Sequence, residues 1–588
     1  MRSRIATAAL LFCGACLALW LAWLVTAGVI GYRPPRLETA VVSAAGYPWR
    51  GAVHVHTALS ADATGTVEEI AAAAARIGLD FVVLSEHTGA LGTAGRAKPG
   101  WVGSVLMLIG EEISTLDGHL LALGVPPHPY ALGPQARQAL DDVRALGGTS
   151  WVAHPGGDAA WTAGLGSIAG VEAVSLSGAL DRLSAVQRFA AALTYPASPP
   201  AAALRALSVR SPALDLWSKR TSLSGAALPR PLVGIGAVDA HGAVGGLGVP
   251  SYDVALDTLT TVVWMDEPPR PGDADRAVAG RLLRRLQSGR VAIELSAAGR
   301  APGLSFVATG SDNRTAYPGE TKLWGAAGWT LEARLGAPGD YRVELLRDGL
   351  LIGSSEGAAL EIDAPGPGTY RVEVYRTTGP PGGGRRGATP WIITNPIYLW
   401  PAAAVSAADL RPAPLLAAAP AAVRSLLSEP GWAAESDARS ASAMAPMVDG
   451  LLWNIRMPNE ATAAAFSALA WRPEIAQDWR HTLGLTAGLS SEREWRIGFR
   501  VWTAGADGEQ TWEFVVASAP GASPTLSPWQ RFRQIGSDGQ VVRRERLDEE
   551  LAQVTGVAFV ATPQRMRPGS EVRIEIRDVG LFGGTPPG

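Results

Sequence analysis

The chain has 588 residues and only eight histidines. Six of them, His54, His56, His87, His119, His154 and His241, stand at or just beyond the ends of apolar runs. The carboxylates Asp62, Glu112 and Asp239 are interleaved with them. Any one of these histidines alone reads as an ordinary core or surface residue. Six in one kind of position, alternating with carboxylates, read as a ligand set. Neutral imidazole mixed with carboxylate suits Zn, Mn or Fe, whereas Ca and Mg prefer oxygen alone. Nine such groups exceed what one tetrahedral ion needs, so two or three divalent transition-metal ions are expected. Clustered cations bring the pKa of bound water to roughly 7. The chemistry implied is hydrolysis by a metal-bound hydroxide on a di- or trinuclear site. Neither a Ser/His/Asp set nor a Walker-type glycine-rich loop is evident, which disfavours acyl-enzyme and nucleotide-driven reactions.

The elements that must carry these groups can be read from the same stretches. From Gly51 the chain runs GAVHVHTALSADATGTVEEIAAAAARIGLDFVVLSEH to His87. In a strand, alternate side chains share a face, so His54 and His56 point together. Thr66 and Glu69 form a capping box that opens an Ala-rich helix, and Gly78 suits its end. Phe81–Leu84 is a second strand, ending in Ser85-Glu86-His87. The unit is strand–helix–strand, as in parallel sheets. Further apolar runs end in Gly110-Glu111-Glu112, in His154-Pro155 and in Asp239-Ala240-His241. Helices are expected from Pro134 to Gly147 and over 274–287. Glu86, and Glu172 within the run Gly170–Val174, are candidates to orient the imidazoles from behind.

The ordered motifs HVH, SADATG, SEH, GEEIS, DGH, AHP and VDAH resemble the PHP (polymerase and histidinol phosphatase) domain family over about 51–299. The resemblance implies an α/β fold, a distorted (β/α)7 barrel with its metal site at the C-terminal edge of the strands. It implies that His54, His56, Glu112 and Asp239 hold one ion. It also implies that Glu112 bridges to a second ion held with His119 and His154, and that Asp62, His87 and His241 hold a third. Two departures stand out. Glu86 occupies a position that is usually Asp, and Asp62 lies six residues after His56 where five is common. Glu111 competes with Glu112 for the bridging role, and the family pattern Gly-x-Glu favours Glu112. The segment Trp391–Leu399 is similar to the closing strand of the branch containing the CehA and McbA metallohydrolases, which act on carbamates and amides.

Beyond the barrel, Tyr341–Leu345 and Tyr370–Val374 alternate apolar and charged residues, as half-buried strands do, and Asp348-Gly349 signals a hairpin. An Ig-like β-sandwich is expected over 304–400. Residues 401–430 read as an Ala/Pro-rich linker with a short helix over AAVRSLLSE. Residues 431–588 carry short strands at sandwich spacing and resemble a galactose-binding-like jelly roll. Trp495 and Trp512 read as core there, and Trp502, on the opposite strand face from Trp495, as a candidate to stack on a sugar.

The first 31 residues contain an apolar run from Ile5 to Ile30, longer than the ~20 residues that cross a bilayer. They read as a transmembrane anchor, with a cleaved signal as the alternative and 32–50 as linker. The bulk of the chain is then expected outside the cytoplasm, on the periplasmic or cell-surface side. Both cysteines, Cys13 and Cys16, fall in this segment, so the body of the chain can form no disulfide. The formal net charge of -3 argues against nucleic acid as a partner. The reading is of a metal-dependent hydrolase cleaving a phosphoester or a carboxyl ester, amide or carbamate of a small-molecule substrate. Two other classes compete. One is a non-catalytic envelope binding protein, taking carbohydrate through its C-terminal domain. The other is a structural envelope protein whose metals only stabilise the fold.

Overall fold

The structure is a computed structural model. It describes residues 2–26, 46–60, 62–87, 100–115, 117–125, 132, 136–155, 161–162, 168–223, 231–242, 250–268, 270, 275–325, 328–377, 389–402, 404, 422–460, 465–482, 484–493, 495–505, 508–518, 525–529, 532–536, 541–543, 547, 550–563 and 565–582. It is mostly β, with sandwich-like sheets and a set of flanking helices.

After helix α1 (Arg2–Thr26) the site-bearing region begins with strand β1 (Tyr47–Val55), helix α2 (Val67–Arg76) and strand β2 (Phe81–His87). Strand β1 starts inside the stretch expected to be linker. It does so because Tyr47–Gly51 pair antiparallel with a later strand, Thr260–Met265. Helix α2 opens with the expected capping box, Thr66 accepting from Glu69 N and Glu69 from Thr66 N. Gly78 follows it at φ 70°, the left-handed region where glycine is least strained. Strands β3 (Gly100–Val102), β4 (Val105–Thr115) and β5 (Gly118–Leu123) come next. Then come α3 (Ala136–Ala145), β6 (Thr149–Val152) and β7 (Gly170–Ser175). Four short helices follow, α4 (Leu176–Asp181), α5 (Ala185–Thr194), α6 (Pro199–Ala206) and α7 (Pro212–Thr221). The region ends with β8 (Val233–Ala237), α8 (Tyr252–Leu256), β9 (Thr260–Met265), α9 (Asp275–Gln287) and β10 (Val291–Glu294).

The pairings run β8-β7-β6-β5-β4-β2-β1-β9-β10. Strands β1, β2, β4, β6, β7, β8 and β10 share one direction, and β5 and β9 oppose them. The sheet curls so that the chain after β8 returns to β1. Val238 N–H donates to Val53 O at 2.9 Å, Ala240 N–H to His54 O at 3.2 Å, and His56 N–H to Ala240 O at 2.9 Å. The curl therefore closes at the residues expected to carry ligands. Strand interiors such as Val82, Val83, Leu106 and Val171 are fully buried, which is why these strands read as unbroken apolar runs.

The region expected as an Ig-like sandwich differs from a free-standing domain. Leu304–Gly310, Thr315–Ala316, Trp329–Leu335 and Ala359–Asp363 make a separate four-stranded sheet. The facing strands belong instead to the same 16-stranded sheet as β1–β10. The joint is Ile392–Thr394, which pairs with Gly368–Arg376 on one edge and with β10 on the other. Asn395 locks it, donating from Nδ2 to Gly234 O (2.8 Å) and Val291 O (3.1 Å) and accepting from Gly234 N. A single core runs through both parts, from Val55 and Val171 to Phe306, Leu331 and Val372.

The C-terminal strands form a six-stranded and a seven-stranded sheet around a core of Trp453, Trp471, Trp479, Trp512 and Phe559. The short helix expected over AAVRSLLSE is instead a strand at Ala422–Ser425, because it finds an open edge on Glu571–Phe582. Most of the preceding linker lies outside the described residues. Trp495 and Trp512 are buried as expected. Trp502 is not a free platform. The Arg472 guanidinium lies 3.6 Å from its ring centroid, and the ring packs on Ala468, Ala470, Ala558 and Val560.

Among the described residues no helix is long and apolar enough to cross a membrane, so the anchor expected over residues 1–31 finds no support. The C-terminal end of α1 packs on the protein instead. Trp20 Nε1–H donates to Leu193 O at 3.0 Å, Leu24 is buried against Ala201, and the Arg205 guanidinium lies over Trp23.

Candidate metal centre

Of the nine residues singled out in the sequence, eight fall into three groups of potential ligands, and Asp62, on the turn after β1, stands beside the third. The innermost group is His54, His56, Glu112 and Asp239. His54 Nε2 and His56 Nε2 each lie 3.3 Å from Glu112 Oε2 and 3.3 Å from Asp239 Oδ1. Ligands at about 2.0–2.1 Å around a tetrahedral ion stand roughly 3.3–3.4 Å apart. The nitrogens His54 Nε2 and His56 Nε2 and the oxygen Asp239 Oδ1 are buried without a hydrogen-bond partner. Buried polar atoms left bare are costly, and three aimed at one point call for a cation. The donor set and its spacing fit a divalent transition-metal ion.

Glu112 faces two groups at once. Its Oε2 looks to His54 and His56, and to His87 Nδ1 at 3.1 Å. Its Oε1 lies 2.7 Å from His119 Nδ1 and 2.9 Å from His154 Nε2, and Glu112, His119 and His154 make a second potential ligand group. A third is His56, His87 and His241. Beside it the Asp62 carboxylate stands 3.2 Å from His87 Nε2 and 3.4 Å from His241 Nε2. This outer side is the open one, since the Asp62 side chain is 54% exposed while His54 and Glu112 are almost fully buried. Glu111, the rival to Glu112, is buried one register position away and paired along the strand with Glu86.

The backbone is strained where it delivers ligands. His54, His154 and Asp239 have φ of 68°, 25° and 50°. They are three of six non-glycine residues at positive φ among those described. Such conformations cost roughly 1–3 kcal/mol each and persist only where surroundings enforce them. At His54 the β1–β2 register slips between Val53 and Val55. That bulge is what lets His54 and His56 converge on one point.

Glu172, on β7, enforces two of these positions. Its Oε1 accepts His54 Nδ1–H at 2.6 Å and its Oε2 accepts the His154 backbone N–H at 2.6 Å. His54 Nε2 is thereby left as the lone-pair nitrogen facing the cluster. Burial alone would lower the His54 pKa, but Asp239, Glu172 and Glu112 outweigh it and raise it well above its ordinary value. Burial likewise favours neutral Glu112, yet His54, His119 and His154 pull it well below the carboxylate range.

Two positioning residues went unread in the sequence. Ser60 Oγ donates to Glu86 Oε2 at 2.6 Å and lies 3.1 Å from both His56 Nδ1 and His87 N. Glu86 also accepts Thr57 N–H. A glutamate in place of the usual aspartate thus reaches across to hold the loop carrying Asp62. Tyr252 OH donates to His56 O at 2.8 Å and accepts from Gly65 N at 3.1 Å, clamping the same loop at both ends. The serine in SADATG, four residues after His56, was the available signal for the first. Nothing local marks Tyr252.

No family model and no curated protein matches the chain. Among solved structures, it is similar to a two-domain protein containing a predicted PHP-like metal-dependent phosphoesterase from Bacteroides vulgatus. The identity is 14%, with 62% of this chain and 99% of that one covered and a TM-score of 0.29. Over 28% of its length it is similar to the family 11 carbohydrate-binding module of Clostridium thermocellum. There the identity is 12%, with 96% of that chain covered and a TM-score of 0.23. Similarity at this level fixes neither fold nor function.

Proposed function

We propose that the chain is a metal-dependent hydrolase of the PHP type, acting at the mouth formed by β1, β2, β4 and the segment after β8. The observation that carries this is the set of bare, buried ligand atoms of His54, His56 and Asp239, each nitrogen 3.3 Å from both facing carboxylates. In this reading His54, His56, Glu112 and Asp239 would hold one ion, and Glu112 with His119 and His154 a second. His87, His241 and Asp62 border a third position on the open side, where substrate enters. Bound divalent ions supply Lewis acidity at the reacting oxygen and acidify water. The chain's own part is to hold the donors. Glu172 fixes the ring of His54, Ser60 with Glu86 fixes that of His56, and closure between Val53–His56 and Val238–Ala240 sets the spacing. The substrate class is a phosphoester, or a carboxyl ester, amide or carbamate as the Trp391–Leu399 segment suggests. The test is elemental analysis of the full chain, followed by a panel of phosphate and carboxyl esters. Two or more ions per chain with metal-dependent turnover is the expected result; less than one ion after reconstitution with Zn or Mn sinks the reading.

A second reading concerns the C-terminal sandwich, which we propose binds carbohydrate. It is supported by a cavity of about 720 Å³ on the face of its six-stranded sheet, a size typical of ligand sites. Depletion of the full chain from solution by insoluble polysaccharides is the corresponding test.

A further inference from the structure

The cavity on the C-terminal sandwich has a floor and a wall that can be read residue by residue. The floor is the outward face of three antiparallel strands, Ala441–Met447, Gly450–Arg456 and Glu571–Phe582. Directly paired residues share a face, and the register lays them in two rows. One row is Ala443, Asn454 and Arg573, and the other is Ala441, Arg456 and Glu571. The wall is the turn Glu492-Arg493 with Trp495.

This surface is built for hydroxyls and negative charge rather than for a flat neutral ring. Trp495 is the one aromatic among the described residues of the lining, it is buried, and the Arg493 guanidinium sits 4.4 Å above its ring centroid. A sugar therefore meets the guanidinium where an indole face would otherwise be offered. Arg456 and Glu571 satisfy one another at 2.7 Å. Arg493 and Arg573 make no ion pair or side-chain hydrogen bond with any described residue, and both line the cavity. A guanidinium presents a planar fork of donors that matches a carboxylate or sulfate edge. Asn454 and Glu492 add a donor and acceptors for hydroxyls, while Ala441 and Ala443 leave the far side of the floor low and apolar. Nucleic acid is a poor fit, because Glu492 and Glu571 face the cavity and its described residues offer no open aromatic face for base stacking.

We propose that this cleft binds an acidic oligosaccharide, a glycan bearing carboxylate or sulfate groups, with Arg493 and Arg573 gripping the charged substituents. The proposal rests on the carbohydrate reading of this sandwich and narrows it. The full chain is titrated calorimetrically with oligogalacturonate, a sulfated galactan oligosaccharide, a neutral mixed-linkage glucan oligosaccharide and polyglutamate. The expected result is binding of one or both acidic glycans, weakened by salt, and little binding of the other two. Which acidic glycan binds tells carboxylate from sulfate. Arg573→Ala and Arg493→Ala should each lower that affinity about tenfold or more, the scale of one lost charge-assisted contact, with Arg573→Lys recovering part of it. Neutral glucan bound as tightly, with both alanine variants unaffected, overturns the acidic specificity and leaves the carbohydrate reading standing. Polyglutamate bound as tightly as the glycans reduces the cleft to a basic surface and overturns the proposal. Binding of none of the four overturns both readings.

Discussion

Glu112 on β4 and Glu373 at the junction with the following β region are both buried carboxylates ringed by basic side chains. They end differently. Glu373 accepts two bonds from Arg210, one from Arg371 and one from the Tyr375 hydroxyl, at 2.6–2.9 Å. Both of its oxygens are saturated by the chain. Around Glu112, the facing atoms of His54, His56 and Asp239 remain bare. Buried charge that finds all its partners within the fold acts as cement. Buried donors that stop short of one another by a constant 3.3 Å leave room for something that is not protein. Burial alone does not tell these two cases apart, but the bookkeeping of partners does.

Glu112→Gln is the hardest test of that contrast. It removes a negative charge and one ligand oxygen from a residue that faces two donor groups. Metal content should fall in both and hydrolysis should drop by three orders of magnitude or more. Glu111→Gln is the control and should keep its metal; elemental analysis and initial rates read both. If Glu111→Gln alone loses metal, the register is wrong by one residue.

Glu373→Gln should do the converse, leaving metal per folded molecule intact while destabilising the fold by about 3–5 kcal/mol, as stripping one partner from a buried ion cluster does. Denaturant melts measure it. Burial pushes the Glu373 carboxyl up, but Arg371 and Arg210 outweigh that and hold it at about 2, below its ordinary 4.5. Its stabilisation is therefore complete above pH 4.5 and is lost as pH falls through 2. In the Gln variant the wild type's loss of stability across that window should be smaller. An unchanged acid profile would show that Glu373 is not what holds the junction.

Glu172→Gln comes next. The one remaining carbonyl oxygen cannot serve both His54 Nδ1–H and the His154 backbone N–H, and the NH2 that replaces the other oxygen cannot accept. Chelator competition should show metal affinity down about 10–100-fold, with the folded state retained by circular dichroism. Ser60→Ala removes the hydroxyl that joins His56, Glu86 and the His87 backbone but leaves Glu172 and its two partners in place, and should weaken binding less. Equal effects would mean that Glu172 does not join the two groups. Asp62→Asn should be mildest, under about tenfold in rate, because Asp62 lies on the exposed rim and, among the described residues, pairs with His87 and His241 alone. A collapse of activity there would make the open side the centre of the chemistry.

The cluster was legible in the sequence because all of the ligand types but Asp62 stand at or just beyond apolar runs, and a strand end places its residues locally. The capping box of α2 was legible for the same reason. What escaped depends on distant pairing. Tyr252 reaches the Asp62 loop from some 190 positions away. The sandwich looked independent because its alternation is complete within itself, whereas its union with the sheet of β1–β10 depends on where Ile392–Thr394 finds an edge. AAVRSLLSE has helix-forming composition, yet an unpaired edge on Glu571–Phe582 outweighed that weak preference. Trp502 was placed on the correct strand face, but nothing local announces an arginine thirty residues earlier in the chain lying across its ring.

That shared sheet has a consequence during synthesis. The outer edge of β10, Ala292–Glu294, is completed by Ile392–Thr394, and about a hundred residues separate the two. At translation speeds of about 5–20 residues per second, that edge waits on the order of 5–20 seconds for its partner. Until then an apolar strand with free backbone groups is a template for pairing with a neighbouring chain. A nascent chain stalled before about residue 390 should therefore draw holding chaperones or aggregate, and one released after Trp400 should not.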